Sequence, residues 1–307
     1  MAPQPQTAAG QAPVAGAAGP QIRDLFVCIG AQKSGTTWLA RVLASHPQMF
    51  MSPVKELHYF DHVAGLTQHL SERKLRSRRR KFLQRLLTQW HRFGELKGQR
   101  AWYRAYLRGP IDDAWYASLF AERGGARFAG EATPEYAIIG EDGFKHLARL
   151  APDARVLFIM RNPVTRAWSQ ALHHCRTTRQ DAMRLDTQAL IAIMEASPNF
   201  AALCDYAATL RSVAKVFRPD QVMTLYYEDM HQDRKAALRE VCGFIGLDFD
   251  AHALPELGRR FNRSQDVALP AEMRAHLRVR LADQATAVRQ LVGRVPSAWE
   301  KEFGLSS

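Results

Sequence analysis

A lysine, a glycine and several hydroxyl side chains lie close together in "IGAQKSGTTW", Ile29 to Trp38. Gly30 and Gly35 have the separation found in the phosphate loop of nucleoside triphosphatases, G-x-x-x-x-G-K-[ST]. In that loop the lysine follows the second glycine, whereas here Thr36 follows Gly35 and Lys33 precedes it. A glycine, several hydroxyl groups and one positive charge are suited to binding an anion, so the pattern predicts a phosphate site of another kind. A tight turn without a ligand is the alternative.

The residues around this loop predict the elements that position it. Leu25 to Ile29 is a short apolar run that ends at Gly30, as a buried parallel strand does. After the loop, apolar residues recur at helical spacing from Trp38 until His46-Pro47 closes the helix. A loop between a strand and a helix offers free backbone N–H groups and the positive end of the helix dipole.

A second strand-to-helix unit carries an arginine. Arg155 to Met160 is apolar after its first residue, and Asn162 and Pro163 are typical of a helix N-cap and first helical position. Arg161 ends the strand, and Ser169 lies eight residues further along the helix. Because open α/β sheets bind ligands outside the carboxyl ends of their strands, Arg161 could meet a second phosphate. An arginine held in a salt bridge is the alternative.

The order of elements indicates the fold class. A third strand is predicted over Gln221 to Tyr226 with a helix from about residue 234 to 244, and a last helix over 270–292. Strands that alternate with helices predict an α/β fold, a three-layer, P-loop-like arrangement with a central parallel sheet flanked by helices. We expect residues 1–22 to be a flexible low-complexity tail and residues 23–307 a single domain.

The positive charge of the chain is concentrated in one segment. Residues 70–108 contain thirteen Lys and Arg against two Glu, which is nearly all of the net charge of +12. The segment predicts a basic helical insertion at about 66–110, with Phe82, Leu83, Leu86, Leu87, Trp90 and Phe93 on its apolar face. It is either a surface helix with solvated arginines or a site for an anionic partner or membrane surface. We expect no nucleic acid, because the rest of the chain is nearly neutral.

Cysteine usage and hydropathy indicate a location. Cys28, Cys175, Cys204 and Cys242 form no C-x-x-C pair, which argues against a zinc cluster and a disulfide framework and predicts small buried residues. No apolar run approaches the ~20 residues that span a bilayer. We expect a cytoplasmic protein, either free or peripheral to the membrane.

Together the motifs resemble those of the sulfotransferases that use 3′-phosphoadenosine 5′-phosphosulfate (PAPS). "GAQKSGTTW" resembles their 5′-phosphosulfate loop, in which the lysine precedes the glycine, and "RNPVTRAWS" resembles their 3′-phosphate motif. "SPVKELHYFD", Ser52 to Asp61, and "GEATPEY", Gly130 to Tyr136, are similar to segments of the branch that acts on glycans and related bacterial acceptors. "LYYEDM", Leu225 to Met230, is similar to a structural segment of several branches. The resemblance runs from about Leu25 to the last helix.

The resemblance implies transfer of a sulfuryl group from PAPS to a hydroxyl or, as second choice, an amine, without a metal. The acceptor class would be a glycan, a lipid or a small metabolite. It implies that Arg161 and Ser169 bind the 3′-phosphate, with Arg260 and Arg263 of the loosely matching "GRRFNRS" as weaker candidates. The donor's 5′-phosphate side would be bound by Lys33, Ser34, Gly35, Thr36, Thr37 and Trp38.

An acceptor hydroxyl has a pKa far above 7, so attack benefits from a base within hydrogen-bond reach. "KELHYFD" offers Glu56 and His58, and the resemblance favours Glu56. It also places Lys55, Thr133 and Tyr136 at the acceptor. Lys33 is the candidate for stabilising the leaving group.

Two other classes remain open. A P-loop kinase or NTPase would need Mg²⁺ and a lysine after Gly35, where Thr36 stands. A non-catalytic protein would bind an anion or membrane through the basic segment. The aromatic residues there either line an acceptor pocket or, as we predict, pack the insertion: Trp90, Trp102, Tyr103, Tyr106, Trp115 and Tyr116.

Overall fold

Five short strands pair in parallel in the order β2-β3-β1-β4-β5. A computed structural model describes residues 19–88, 99–197, 199–252, 254–259 and 267–305. The strands are β1 (Leu25–Gly30), β2 (Met49–Met51), β3 (Phe128–Ala132), β4 (Arg155–Met160) and β5 (Val222–Tyr226). In the register, Val27 is opposite both Glu131 and Val156, so β1 lies at the centre of the sheet.

Helices follow or connect the strands, and their order confirms the α/β prediction. In the part of the chain that the structure describes they are α1 (Thr36–Ala44), α2 (Tyr59–Val63), α3 (Glu72–Thr88), α4 (Arg100–Tyr106), α5 (Asp113–Ser118), α6 (Gly140–Leu150), α7 (Pro163–Thr178), α8 (Thr187–Glu195), α9 (Phe200–Cys204), α10 (Tyr206–Ala214), α11 (Tyr227–Gln232), α12 (Arg234–Ile245), α13 (Ala271–Val292) and α14 (Ser297–Phe303). Short 3₁₀ turns cover Pro134–Ile138, Ala182–Arg184 and Pro219–Gln221.

The sheet is covered on both faces, which explains why its central strands are apolar throughout. Every residue of β1 is buried. Successive side chains of a strand point to opposite faces. Val27 accordingly packs in one large core cluster, whereas Phe26 and Cys28 pack in another with α1 and α12. This is the three-layer arrangement that the sequence predicts.

The predicted start of α7 is confirmed in detail. The side chain of Asn162 accepts hydrogen bonds from the amides of Val164 and Thr165, and Pro163 occupies the first turn. An asparagine cap and a proline that needs no amide partner fix where the helix begins. The strand end at Arg161 is thereby held directly before the helix.

The basic insertion lies between β2 and β3 and packs into the main core. Trp102, Tyr106, Trp115 and Tyr116 are buried in the cluster that also contains Val27, which confirms the packing role predicted for the aromatic residues. Trp90 and Phe93 lie outside the described residues. The predicted apolar face is wrong at Leu83, which is 59% exposed, because the helix buries Leu75 and half-buries Phe82 instead.

Two further predictions concern burial. All four cysteines are free and buried, as predicted. Leu277, Leu281 and Val288 form the buried side of α13. Among the residues described, no helix combines the length and apolar character needed to cross a membrane.

Candidate active site

The loop between β1 and α1 has the features of an anion site. Gly35 has φ +85°, a conformation that favours glycine, and a Cβ there would lie 2.6 Å from Met230 Cε. Within the described ranges no side chain caps α1, which leaves its first amides available. The hydroxyl of Ser34 is fully buried and without a hydrogen-bond partner among these residues. A buried hydroxyl beside uncapped amides suits a bound phosphate.

Lys33 occupies the crest of this loop. Its backbone has φ +68°, a left-handed conformation uncommon outside glycine. Burial lowers the pKa of its ammonium, and the positive charges of Arg176, Arg161 and Lys55 lower it further, against the opposing effect of Glu56. The lysine therefore lies in an electropositive site between the two predicted motifs.

Arg161 is tied to the Lys33 loop. Its Nη1 donates to the carbonyl of Lys33 at 3.0 Å, and its Nε donates to Thr165 Oγ1 at 3.1 Å. The guanidinium lies 4.6 Å from the centre of the Tyr227 ring. The hydroxyl of Tyr206 donates to the Arg161 carbonyl at 2.9 Å. These contacts fix the arginine beside the loop rather than in a carboxylate salt bridge.

The remaining predicted nucleotide residues divide into three groups. Ser169 is on α7 and 7% exposed. Trp38 is also buried, and its indole N–H donates to the Leu257 carbonyl, so that it packs beneath the loop. Arg260 and Arg263 lie outside the described residues.

Glu228 of "LYYEDM" accepts from the Asn162 amide at 2.8 Å, consistent with a structural segment.

The segment after β2 carries the two candidate bases. Glu56 forms an ion pair with Lys55, and its Oε2 lies 3.6 Å from Nε2 of His58. Burial opposes ionisation of Glu56, but the nearby His58 and the charge of Lys55 outweigh it and lower the pKa to about 2. Glu56 is thus a carboxylate at neutral pH.

His58 is held on its other side by a buried carboxylate. Its Nδ1 lies 2.9 Å from Asp61 Oδ2, which also accepts from Thr67 Oγ1 at 2.7 Å. The His69 ring stacks on His58 with 3.8 Å between ring centres. Burial favours the neutral imidazole, yet the hydrogen bond to Asp61 and the nearby Glu56 carboxylate raise the pKa of His58 to about 9. At neutral pH the imidazole therefore carries its proton.

A buried glutamate anchors this segment to β3. Both Tyr116 and Tyr136 donate their hydroxyls to Glu131 Oε1, at 2.6 and 3.0 Å. Thr133 Oγ1 donates to Oε2 at 2.6 Å and accepts from the Leu57 amide at 3.0 Å. The Tyr136 oxygen accepts from the Tyr59 amide at 3.0 Å. The hydrogen bonds of this cluster therefore hold the backbone at Leu57 and Tyr59, on both sides of His58.

This geometry does not support the predicted contact of Thr133 and Tyr136 with an acceptor. Both side chains are fully buried. Their oxygens are engaged with Glu131 and with the backbone of the Lys55 to Tyr59 segment. They position the candidate base instead.

A second carboxylate faces Glu56. One ligand atom each from Glu56, His58 and Glu135 lies within 4.8 Å of the others, a spacing that could hold a metal ion. Gln32 donates to Glu135 Oε1 at 3.0 Å, and Oε2 is buried without a partner in the described structure. Burial raises the pKa of Glu135, and the charge of Glu56 adds to the effect. The Lys55 ammonium already supplies Glu56 with a positive charge.

Sequence reasoning missed Glu135 and two side chains of α7, His173 and Arg176. Arg176 and Lys33 both act on His173, whose pKa is lowered first by burial and then by their charges. Glu135 could have been singled out from the sequence, because it lies in the "GEATPEY" motif. Arg176 had no such signal, because its approach to Lys33 depends on how α7 lies across the loop.

The parallel sheet and the strand-loop-helix unit define an α/β protein with a P-loop-like fold. The sequence pattern of the Sulfotransferase family matches residues 25–251, so the chain belongs to the sulfotransferase family. No curated protein sequence matches the chain.

One solved structure shows the fold, and a second, less similar one contains the bound nucleotide PAP. A sulfotransferase from Alicyclobacillus acidocaldarius is similar with a TM-score of 0.64 and 22% identity over 90% of this chain and 98% of that one. Mouse sulfotransferase SULT7A1 complexed with PAP has a TM-score of 0.49 and 11% identity over 91% and 92% of the two chains.

Proposed function

We propose that the protein transfers the sulfuryl group of PAPS to an acceptor hydroxyl, with Lys33 at the leaving group and Glu56 as the base. The observation that carries the proposal is the position of Lys33. Its ammonium lies near enough to Arg176, Arg161, Lys55 and Glu56 for their charges to act on its pKa. A donor and an acceptor would meet at this junction.

The residues present fit the nucleotide. The unpartnered Ser34 hydroxyl and the uncapped amides of α1 would hold its 5′-phosphate. The guanidinium of Arg161 and the Ser169 hydroxyl would hold the 3′-phosphate. PAPS supplies the sulfuryl group and a 5′-phosphate leaving group. The fit does not depend on a lysine after Gly35, which a triphosphate loop requires.

The chain's own residues provide the proton transfers. Glu56 takes the proton of the acceptor hydroxyl while the acceptor oxygen bonds to sulfur and the bond from sulfur to the 5′-phosphate oxygen breaks. Lys33 donates a hydrogen bond to that oxygen as it gains charge. His58 is protonated near neutral pH, which favours Glu56 over His58 as base. Lys55 and His58 hold the carboxylate in place.

The proposal requires a nucleotide with a 3′-phosphate, which a binding experiment tests. We expect adenosine 3′,5′-bisphosphate (PAP) to raise the melting temperature, and ATP with Mg²⁺ not to do so. Turnover of PAPS after dialysis against EDTA should be unchanged, because Lys33 and Arg161 supply the positive charge. A melting shift only with ATP and Mg²⁺ would favour a kinase instead.

Arg161→Ala tests the second phosphate site. We expect it to weaken PAP binding about tenfold or more, the loss of one charged hydrogen-bonding group. Binding of adenosine 5′-phosphate, which has no 3′-phosphate, should change little. Arg155→Ala is the control, because this arginine is at the opposite end of the same strand and contacts Asp220. Equal losses for both nucleotides would contradict the assignment.

A further inference from the structure

Three side chains at the Glu56 segment have the spacing of metal ligands. Glu56, His58 and Glu135 each place one ligand atom within 4.8 Å of the other two, and we call them the carboxylate-histidine cluster. Nε2 of His58 lies 3.6 Å from Oε2 of Glu56. Two ligands that are each about 2.1 Å from one Zn²⁺ ion, at the tetrahedral angle, lie about 3.4 Å apart. Small side-chain movements would therefore place all three around one ion.

The imidazole of His58 is oriented as in metal-binding histidines. Its side chain is only 4% exposed, and its Nδ1 lies 2.9 Å from Oδ2 of the fully buried Asp61. Thr67 Oγ1 donates to the same oxygen at 2.7 Å. A carboxylate bonded to one ring nitrogen fixes the tautomer and directs the other nitrogen toward a metal. Nε2 of His58 accordingly faces Glu56, and Glu135 lies within reach of both.

Glu135 brings a carboxylate oxygen that lacks a partner. Gln32 donates to its Oε1 at 3.0 Å, whereas Oε2 is buried without a hydrogen-bond partner among the described residues. A buried polar atom without a partner calls for an explanation, and a bound ion is one of the usual ones. The neighbouring carboxylate of Glu56 makes the position more negative, which attracts a cation.

The lysine beside Glu56 leaves one carboxylate oxygen to the cluster. Lys55 pairs with Oε1 of Glu56, whereas Oε2 faces His58. The Glu56 side chain is 40% exposed, which gives an ion a path from solvent. One imidazole and two carboxylates suit Zn²⁺, whereas Mg²⁺ usually takes oxygen ligands alone. We propose that the carboxylate-histidine cluster binds one Zn²⁺ ion through Glu56 Oε2, His58 Nε2 and a carboxylate oxygen of Glu135.

Zn²⁺ would compete with the proposed reaction for the same atoms. On binding, the ion displaces the proton of His58 Nε2 into the solvent and occupies the Glu56 carboxylate, which the proposed transfer uses as its base. A bound ion should therefore inhibit sulfuryl transfer. This inhibition rests on the proposed function, whereas binding needs only the three ligands and does not.

Binding is tested by calorimetric titration of ZnCl₂ into the full-length protein, after dialysis against EDTA and then against metal-free buffer. Glu135→Gln removes one ligand carboxylate but keeps an oxygen for Gln32. Glu240→Gln is the control, since Glu240 is an exposed residue of α12, which packs in the other core cluster from Leu57 and Tyr59. We expect one tightly bound ion in parent and control. In Glu135→Gln it should bind about tenfold more weakly or worse, because losing even an outer-shell partner costs about 10–100-fold.

The outcomes distinguish this site from general attraction of cations. Equal Zn²⁺ affinity in the Glu135 and Glu240 variants, or no binding to the parent, overturns the proposal. Thermal melting without metal checks that the variants fold. His58→Gln removes a different ligand, and full Zn²⁺ affinity in that variant also overturns the proposal.

The PAPS turnover assay then separates the site from the reaction. Zn²⁺ should inhibit the parent and the Glu240 variant at lower concentrations than it inhibits Glu135→Gln, each compared with its own rate without metal. Cluster-dependent binding without inhibition would support the metal site and contradict Glu56 as the base.

Discussion

In the proposed reaction, the surroundings of Lys33 suit it to the leaving group. Burial and three neighbouring cations lower its pKa, which makes its proton easier to share with an oxygen that gains charge. The same environment would repel a further cation and attract an anion. In the proposed reaction the lysine therefore serves both nucleotide binding and chemistry.

Lys33→Arg tests whether a titrating ammonium limits the reaction. Lys33 must keep its proton to donate it, so turnover should fall on the alkaline side, at a pH below the ordinary lysine value. Arginine remains protonated there. The variant should therefore turn over more slowly but lose this alkaline decline, as measured by kcat against pH. His58→Gln is the control, because the pKa of His58 is about 9. If the alkaline decline in kcat disappears only in the His58 variant, it arises from the imidazole and not from Lys33.

Glu131 makes stability depend on pH. Burial raises its pKa from 4.5 to about 7, although four hydrogen-bond donors oppose the rise. Between these values the folded protein holds a proton that the unfolded chain has released. The stabilisation is thus complete below about pH 4.5 and is lost as the pH rises through about 7.

Glu131→Gln should remove that dependence. The free energy of unfolding of the parent, relative to the variant, should fall by about 3 kcal/mol between about pH 4.5 and about pH 8. Urea unfolding at several pH values measures it. Glu72→Gln is the control, since Glu72 is exposed and pairs only weakly with Arg76. A constant difference between parent and Glu131 variant would show that Glu131 does not titrate in this window.

At the scale of elements, the β1-α1 loop depends on the helix packed beneath it. A side chain at Gly35 would meet Met230 Cε at 2.6 Å and Tyr227 Cδ2 at 3.3 Å, both on α11. Gly124 offers a matched comparison, because its φ is also positive, at +60°, but a Cβ there would meet nothing within 4 Å.

Gly35→Ala should therefore cost more than Gly124→Ala. Backbone strain alone should lower the free energy of unfolding by about 1 kcal/mol at Gly124. At Gly35 the Met230 methyl and the Tyr227 ring must also shift, and PAP binding should weaken as the loop adjusts. Chemical unfolding and calorimetric titration measure the two effects. Equal stability losses and retained PAP binding in the Gly35 variant would contradict the role of α11.

The sequence predicted the elements whose signals are local. β1 is an apolar run, β4 is apolar after Arg155, and Asn162-Pro163 marks the start of α7 by its own chemistry. β3 escaped prediction because Gly130 and Glu131 interrupt its apolar pattern, although every residue in it is buried. β2 has only three residues. Likewise, Lys33 and Glu56 could be singled out from motifs, whereas the anchoring by Tyr116 requires tertiary contacts.

At the scale of the whole molecule, the insertion is part of the core. Trp102 stacks on Tyr106 with 5.1 Å between ring centres, and its indole N–H donates to the Leu119 carbonyl at 2.8 Å. Removing residues 70–108 would take Trp102 and Tyr106 out of the core and expose the residues that pack against them. Point substitutions are therefore the appropriate probes of the segment.

Trp102→Ala should lower the free energy of unfolding by about 3–5 kcal/mol, the usual cost of removing a large buried aromatic side chain. Leu83→Ala, at a position that is 59% exposed, should change it by less than about 0.5 kcal/mol. Urea unfolding followed by fluorescence and circular dichroism measures both. A small effect at Trp102 would mean that the insertion folds independently of the sheet.

The strand order has a kinetic consequence. Along the carboxyl edge of the sheet, the Glu56 segment follows β2, the Lys33 loop follows β1 and Arg161 follows β4, with β3 between the first two. The two substrates would thus approach Lys33 from opposite directions, and neither would block the other's exit. We expect random-order addition, with PAP competing against PAPS but inhibiting non-competitively against the acceptor.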